Sequence, residues 1–335
     1  MSTDPQNHRK NGKVSDILQK SKKLITYSEQ QSLQLEICQK LVSGSERVKC
    51  VDFHPSKPWV ASSLSTGVVL VLDYKTNQLV KSLTVSDKPV RAVKFVPRKD
   101  WIITGSDDLT IKVFDTNTWE GIHSFEAHSD FIRCLLVHPT KPYILSCGDD
   151  KTIKLWNWEQ EWAFVRAFEE HSHYVMQIAI NPKDENQFAS ASLDQTLKLW
   201  RFDSSSSEFT FEGHKKSVNC VDYSPSDDKP LLISGSDDQT IKVWDFQTKT
   251  CLQTLEGHTN NVVVVSYHPE LSLILSGSED ETVKFWDQNT YQLKDSLDLN
   301  LGRVWTISCL KGSNIVAVGC DKGTAVLELN YKKSL

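Results

Sequence analysis

Histidine, serine and aspartate recur together four times in this 335-residue chain, at nearly constant spacing. The sets are His128, Ser146 and Asp150; His171, Ser190 and Asp194; His214, Ser234 and Asp238; His258, Ser276 and Asp280. A hydroxyl, an imidazole to take its proton and a carboxylate to orient the imidazole are the parts of a nucleophilic catalyst. An enzyme needs one such constellation, whereas every unit of a repeat must satisfy its own buried polar groups. Four copies therefore point to structural hydrogen-bond chains, and the expectation is a protein that is not an enzyme. No glycine-rich phosphate loop and no H-E-x-x-H motif is present, so neither a cofactor nor a metal is expected.

The elements that must position these sets are read most clearly from Gly213 to His258. That stretch begins and ends on Gly-His. It holds β-branched runs at Val218–Tyr223, Leu231–Ser234, Thr240–Asp245 and Thr250–Leu255, each bounded by turn residues. Its Gly-His and Ser-Gly-Ser-Asp-Asp-x-Thr-Ile-Lys-Val-Trp-Asp landmarks, over roughly 40 residues, resemble the WD40 repeat, whose unit is a four-stranded blade. Six further units align with it: Val48–Val85, Val90–Phe125, Ile132–Phe168, Val175–Phe211, Val262–Leu297 and Val304–Leu329, the last the most worn and without a tryptophan. The expected fold is all-β, a seven-bladed WD40 β-propeller. Residues Leu33 to Val42 alternate as a strand before any complete blade. An open sheet edge invites aggregation, so this strand is expected to pair into the last blade and close the ring. The resemblance also implies that His, Ser, Asp and the tryptophan of the third strand form one structural chain in each blade.

Bulk composition agrees with a single large propeller over residues 33–330, with 39% hydrophobic residues. The net charge of −5 argues against a nucleic-acid partner. Eight scattered cysteines without a CxxC pair are expected to be reduced thiols. No apolar run approaches the ~18 residues of a membrane span, and no signal peptide opens the chain, so a cytoplasmic protein is expected. Residues 1–32 carry Arg9, Lys10, Lys13, Lys20, Lys22 and Lys23 and are expected to be a basic, mostly disordered extension. Within it, Ser15 could cap a short helix with Ile17, Leu18, Leu24 and Ile25 on one face. Residues 331–335 are expected to be a tail whose Lys332 and Lys333 are a chance pair of basic residues.

Function in a repeat protein lies where the units differ. Just before the structural aspartate of the tight turn, or at the equivalent position in blades 1 and 7, stand Ser65, Asp107, Asp149, Leu193, Asp237, Glu279 and Asp321. One residue into each first strand stand Lys49, Arg91, Arg133, Met176, Asn219, Val263 and Trp305, with Arg47 and Asp130 just upstream of two of them. Both positions belong on one face near the central channel. The expectation is a partitioned surface, with a basic cluster of Arg47, Lys49, Arg91 and Arg133 on blades 1 to 3 and carboxylates around the rest. Like charges at equivalent positions repel, and a ligand would relieve the cost. A peptide C-terminus preceded by lysines matches such a face, with modest, salt-sensitive affinity.

Several non-generic stretches go further: Ser45-Glu46-Arg47-Val48-Lys49, Pro89-Val90-Arg91-Ala92, Asp130-Phe131-Ile132-Arg133-Cys134, Lys154-Leu155-Trp156-Asn157-Trp158 and Tyr174-Val175-Met176-Gln177-Ile178. These resemble the N-terminal propeller of the coatomer beta-prime family from about Leu35 to Leu329. The resemblance implies a COPI coat module on the cytosolic face of Golgi membranes and vesicles, associating with membranes peripherally. Its ligands would be C-terminal dilysine tails of membrane cargo, and its partners other coatomer subunits. By position, Arg47, Lys49 and Arg91 would hold the cargo carboxylate, while Asp130, Asp149 and Asp237 would take the lysine ammoniums, with Arg133 in support. Ser65 departs from the tyrosine usual in the family. The family continues past the point matching Leu335 into a second propeller and a solenoid, so a fragment, or a paralogue that reads signals without building a cage, is expected. The alternative is another WD40 adaptor, such as a substrate receptor of a ubiquitin ligase, using its blade rims.

Overall fold

The computed structural model describes residues 33–43, 46–226 and 229–333. The expectations for residues 1–32 lie outside these. The chain divides into two compact units, Gln39–Glu328 and the two chain ends, Met1–Cys38 with Leu329–Leu335. Of the ends only strand residues 33–38 and 329–333 are described.

Residues of the larger unit form a seven-bladed β-propeller, each blade a four-stranded antiparallel sheet. Blade 5 has strands Val218–Tyr223, Leu231–Ser236, Ile241–Asp245 and Thr250–Leu255. Burial across it explains the residue choices. The second strand is buried along its whole length, because neighbouring blades cover both faces, and it is written in apolar and small residues. In the third strand buried and half-buried residues mostly alternate, and the fourth is exposed except near its end. Two 3-10 turns, Pro97–Lys99 and Trp158–Gln160, are the helical elements among the described residues.

The first strands of successive blades pack side by side around the whole ring, the last (Val304–Cys309) against the first (Val48–Phe53). Glycine makes that closure possible. A Cβ on Gly319 would lie 2.6 Å from Val48 Cγ1, and one on Gly277 only 2.4 Å from Val304 Cγ1, so a side chain at either position would push blades apart. The seventh sheet has the order expected for the closing strand: Leu33–Ser43 outermost, then Gly323–Lys333, Ile315–Cys320 and Val304–Cys309. Its penultimate strand extends to Lys333, past the expected boundary at residue 330.

Two local features place the variable residues. The tight turn between the second and third strands ends on a left-handed residue in five blades: Leu109, Lys151, Gln195, Gln239 and Glu281, with φ from 68° to 73°. Gly67 takes the same place in blade 1 at φ 86°. The second feature lies on the first strand. In all seven blades the register slips by one residue just after its first apolar position, leaving Lys49, Arg91, Arg133, Met176, Asn219, Val263 or Trp305 without a partner on the second strand. Such a bulge re-aims a side chain and blunts a strand that has no neighbour on one side.

Candidate functional site

The four histidine sets are chains of hydrogen bonds that end inside the blades. In blade 3, His128 Nδ1 lies 2.8 Å from Asp150 Oδ2 and its Nε2 lies 2.7 Å from Ser146 Oγ. That oxygen in turn accepts from Trp156 Nε1 at 2.9 Å. Blades 4, 5 and 6 repeat the arrangement with Trp200, Trp244 and Trp286. All four serines are fully buried. Each serine oxygen faces an indole N–H and an imidazole, so no electrophile reaches it. The arrangement holds the loop bearing each histidine against the sheet.

Burial alone would raise the carboxyls of Asp150, Asp194, Asp238 and Asp280, but hydrogen bonds from histidine, threonine and backbone N–H groups outweigh it. All four fall below the usual carboxylate range, Asp280 to about 2. A folded-state value below the unfolded one gives stability that is present above about pH 4 and lost as pH falls through the folded value. Burial also lowers His214 and His258, whose protonation favours unfolding below about pH 6.5. The urea midpoint should therefore decline below that pH and drop most steeply between about pH 4 and 2. A midpoint constant from neutrality down to about pH 3 would contradict this account.

The bulged residues converge on the channel mouth. Lys49, Arg91, Arg133, Met176, Asn219, Val263 and Trp305 all line one cavity of about 220 Å³. The turn residues join them through one backbone frame. Each turn amide donates to the carbonyl just ahead of its own blade's first strand: Asp107 to Pro89, Asp149 to Phe131, Leu193 to Tyr174, Asp237 to Ser217, Glu279 to Asn261 and Asp321 to Arg303. Lys49 and Arg91 thus share a face with Asp149 and Asp237, as the register requires.

Charge within that face is interleaved rather than partitioned, which corrects the expected separation of basic and acidic sectors. Arg91 grips Asp107 of its own blade through two nitrogens, the Nη2–Oδ2 contact at 2.8 Å. Arg133 grips Asp149 in the same way at 2.5 and 2.6 Å. Burial acts to lower Arg133, yet Asp149 raises it overall. Asp107 and Asp149 are mostly buried against their arginines. Arg47 reaches across to blade 7, 2.8 Å from Asp321, which also receives Arg303 at 2.9 Å and Trp305 Nε1 at 2.8 Å. Arg303 further approaches Glu279 at 3.6 Å.

Lys49 stands apart. No carboxylate lies within ion-pair distance of it among the described residues, and its ammonium rests 5.2 Å from the Trp305 ring centroid. Burial, then Arg91, Arg47 and Arg133, lowers it from 10.5 to about 8. The uncompensated positive charge of the mouth is centred here. On the acidic side, Asp237 accepts Asn219 Nδ2 at 2.7 Å and Asp130 accepts the Phe131 amide at 2.8 Å, and both are half-exposed with no cation on them among the described residues. The expectations missed Trp305 as a hub, with Arg47, Lys49 and Arg303 at 5.3, 5.2 and 4.9 Å from its centroid. Its place in the bulged register was the available signal.

A family model described as "WD domain, G-beta repeat" matches residues 36–73, 77–115, 119–157, 162–201, 205–245 and 249–287. The chain belongs to the WD40 repeat family. Among WD40 proteins it is similar to coatomer subunit beta' of Macaca fascicularis, 61% identical over 301 residues, which is 90% of this chain and 33% of the relative. Coatomer subunit beta' of Drosophila melanogaster is 55% identical over the same share of each chain. A probable coatomer subunit beta' of Caenorhabditis elegans is 61% identical, with 30% of its length covered. The chain spans about a third of the length of these curated relatives. No helix among the described residues is long and apolar enough to cross a membrane.

Proposed function

We propose that this WD40 propeller is a coat module of the coatomer type that binds the C-terminal dilysine tails of membrane cargo, in Golgi-to-endoplasmic-reticulum and intra-Golgi transport. Lys49 carries the reading: a half-buried ammonium, crowded by Arg47, Arg91 and Arg133 and without an anion of its own among the described residues. A chain-terminal carboxylate supplies that anion and, with the guanidiniums, makes charge-assisted hydrogen bonds. Asp130 and Asp237, which have no cation among the described residues, take the lysine ammoniums. Asp149 borders Asp130 through the two ends of Phe131, whose N–H donates to Asp130 and whose carbonyl accepts the Asp149 amide. It holds Arg133 in place and offers its remaining lone pairs to the same lysine. The role is one of binding within a coat, not of catalysis. Association with the remaining coatomer subunits, and through them with Golgi and vesicle membranes, belongs to the same reading.

Calorimetry with short peptides tests it. A peptide ending Lys-Lys-Ser-Ser with a free carboxylate should bind with a Kd on the order of micromolar and weaken as salt rises. Amidating its C-terminus, or the substitution Asp237→Asn, should weaken binding about tenfold or more. Equal affinity for the acid and the amide would refute the carboxylate site.

A further inference from the structure

Blade 4 breaks the polar character of the mouth twice. Its bulged residue is Met176 and its turn residue is Leu193, where the turns on either side carry Asp149 and Asp237. The backbone frame is unchanged, with the Leu193 amide 3.0 Å from the Tyr174 carbonyl, so Leu193 projects where its neighbours present carboxylates. Both apolar side chains are partly open, and Met176 lines the cavity. One ring extends the patch toward blade 3: Tyr174 lies 5.9 Å from the Arg133 guanidinium.

We propose that Met176 and Leu193, with Tyr174 beside them, form an apolar seat for a large apolar or aromatic side chain adjoining the lysines of the bound chain end. The proposal deepens the dilysine reading and rests on it. A ligand that engages the carboxylates of blades 3 and 5 must pass over blade 4. A polar group brought there would leave water without gaining a partner, whereas an apolar group gains by burial. The mouth would thus select not any dilysine tail but one with a bulky apolar residue next to the pair.

The test compares a parent peptide ending Lys-Lys-Ser-Ser with two versions of equal charge. One carries Phe directly before the lysines and the other carries it directly after them. One Phe peptide should bind the full chain about tenfold tighter than the parent, a gain consistent with partial burial of the ring. The gain should vanish in a protein carrying both Leu193→Ser and Met176→Ser while the parent peptide binds as before, and Leu193→Ile should retain it. The urea midpoint of each variant checks that the fold is kept. Parent binding without any gain from Phe, or a gain that survives in the double variant, overturns the seat and leaves the dilysine site standing. Failure of all three peptides overturns the dilysine reading, and the seat falls with it.

Discussion

Replacing Trp200 by alanine should lower folding stability by about 3–5 kcal/mol, the range for a large aromatic removed from a packed interior. Trp200 is fully buried. Its ring meets Phe168 at 5.6 Å, Phe188 at 6.2 Å and His171 at 6.0 Å. Its indole N–H is also one end of the hydrogen-bond chain, donating to Ser190 at 2.8 Å. The substitution therefore opens a cavity in blade 4 and removes a donor from Ser190 at once. Domains are stable by only about 5–15 kcal/mol, so the loss should appear as a large drop in the urea midpoint. Leu252→Ala, at a site 49% exposed, is the control and should change stability by roughly 0.5 kcal/mol or less. Equal effects of the two substitutions would show that the tetrads and the aromatic packing around them do not hold the blade.

Dilysine-peptide affinity should fall about tenfold between pH 7 and pH 9, through titration of Lys49. The sign follows from which form binds. The carboxylate prefers the ammonium, so binding is strongest below the free-state value of about 8 and weakens as pH rises through it. Peptide lysines, with ordinary values near 10.4, stay charged over this range and do not mask the effect. Lys49→Arg keeps a charge that does not titrate and should flatten the profile, whereas Lys49→Met should abolish measurable binding. The same substitution should leave the free protein more stable at neutral pH. A lysine whose folded value is depressed is bound less readily by protons in the folded state, so stability rises with pH above about 8, and below it the charge is a cost. Solvent screening at this half-exposed site keeps the gain near 1 kcal/mol. A pH-independent affinity for the unsubstituted protein would remove Lys49 from the site.

Both effects depend on features that the sequence displays unevenly. Blade number, strand order and the four tetrads are legible because each rests on a local pattern repeated many times, so that one ambiguous unit is corrected by six others. Ring closure is legible from the physics of unpaired edges. The bulge was also written in the chain, in a form that simple alternation hides. The buried residues of the first blade's inner strand are Val48, Val51 and Phe53, a step of three followed by a step of two, and Ile132 with Leu135 and Val304 with Ile307 repeat the step of three. A period of two cannot produce the first step without an extra residue. Reading charge position by position could not show how the charges pair. Arg91 and Asp107 stand 16 residues apart and face each other only because the bulge turns one side chain toward the turn that carries the other. The state of Lys49 is a property of three neighbouring blades together, and no local window contains it.

The slipped register has a consequence for how such a module is rewritten. At each of seven places the side chain that lines the mouth belongs to a residue excused from the sheet's cross-strand bonding. Lysine, arginine, methionine, asparagine, valine and tryptophan all occupy the position on the same backbone. The lining of the mouth is thereby uncoupled from the pairing of the strands, and it can be altered residue by residue while the scaffold beneath it stays as it is.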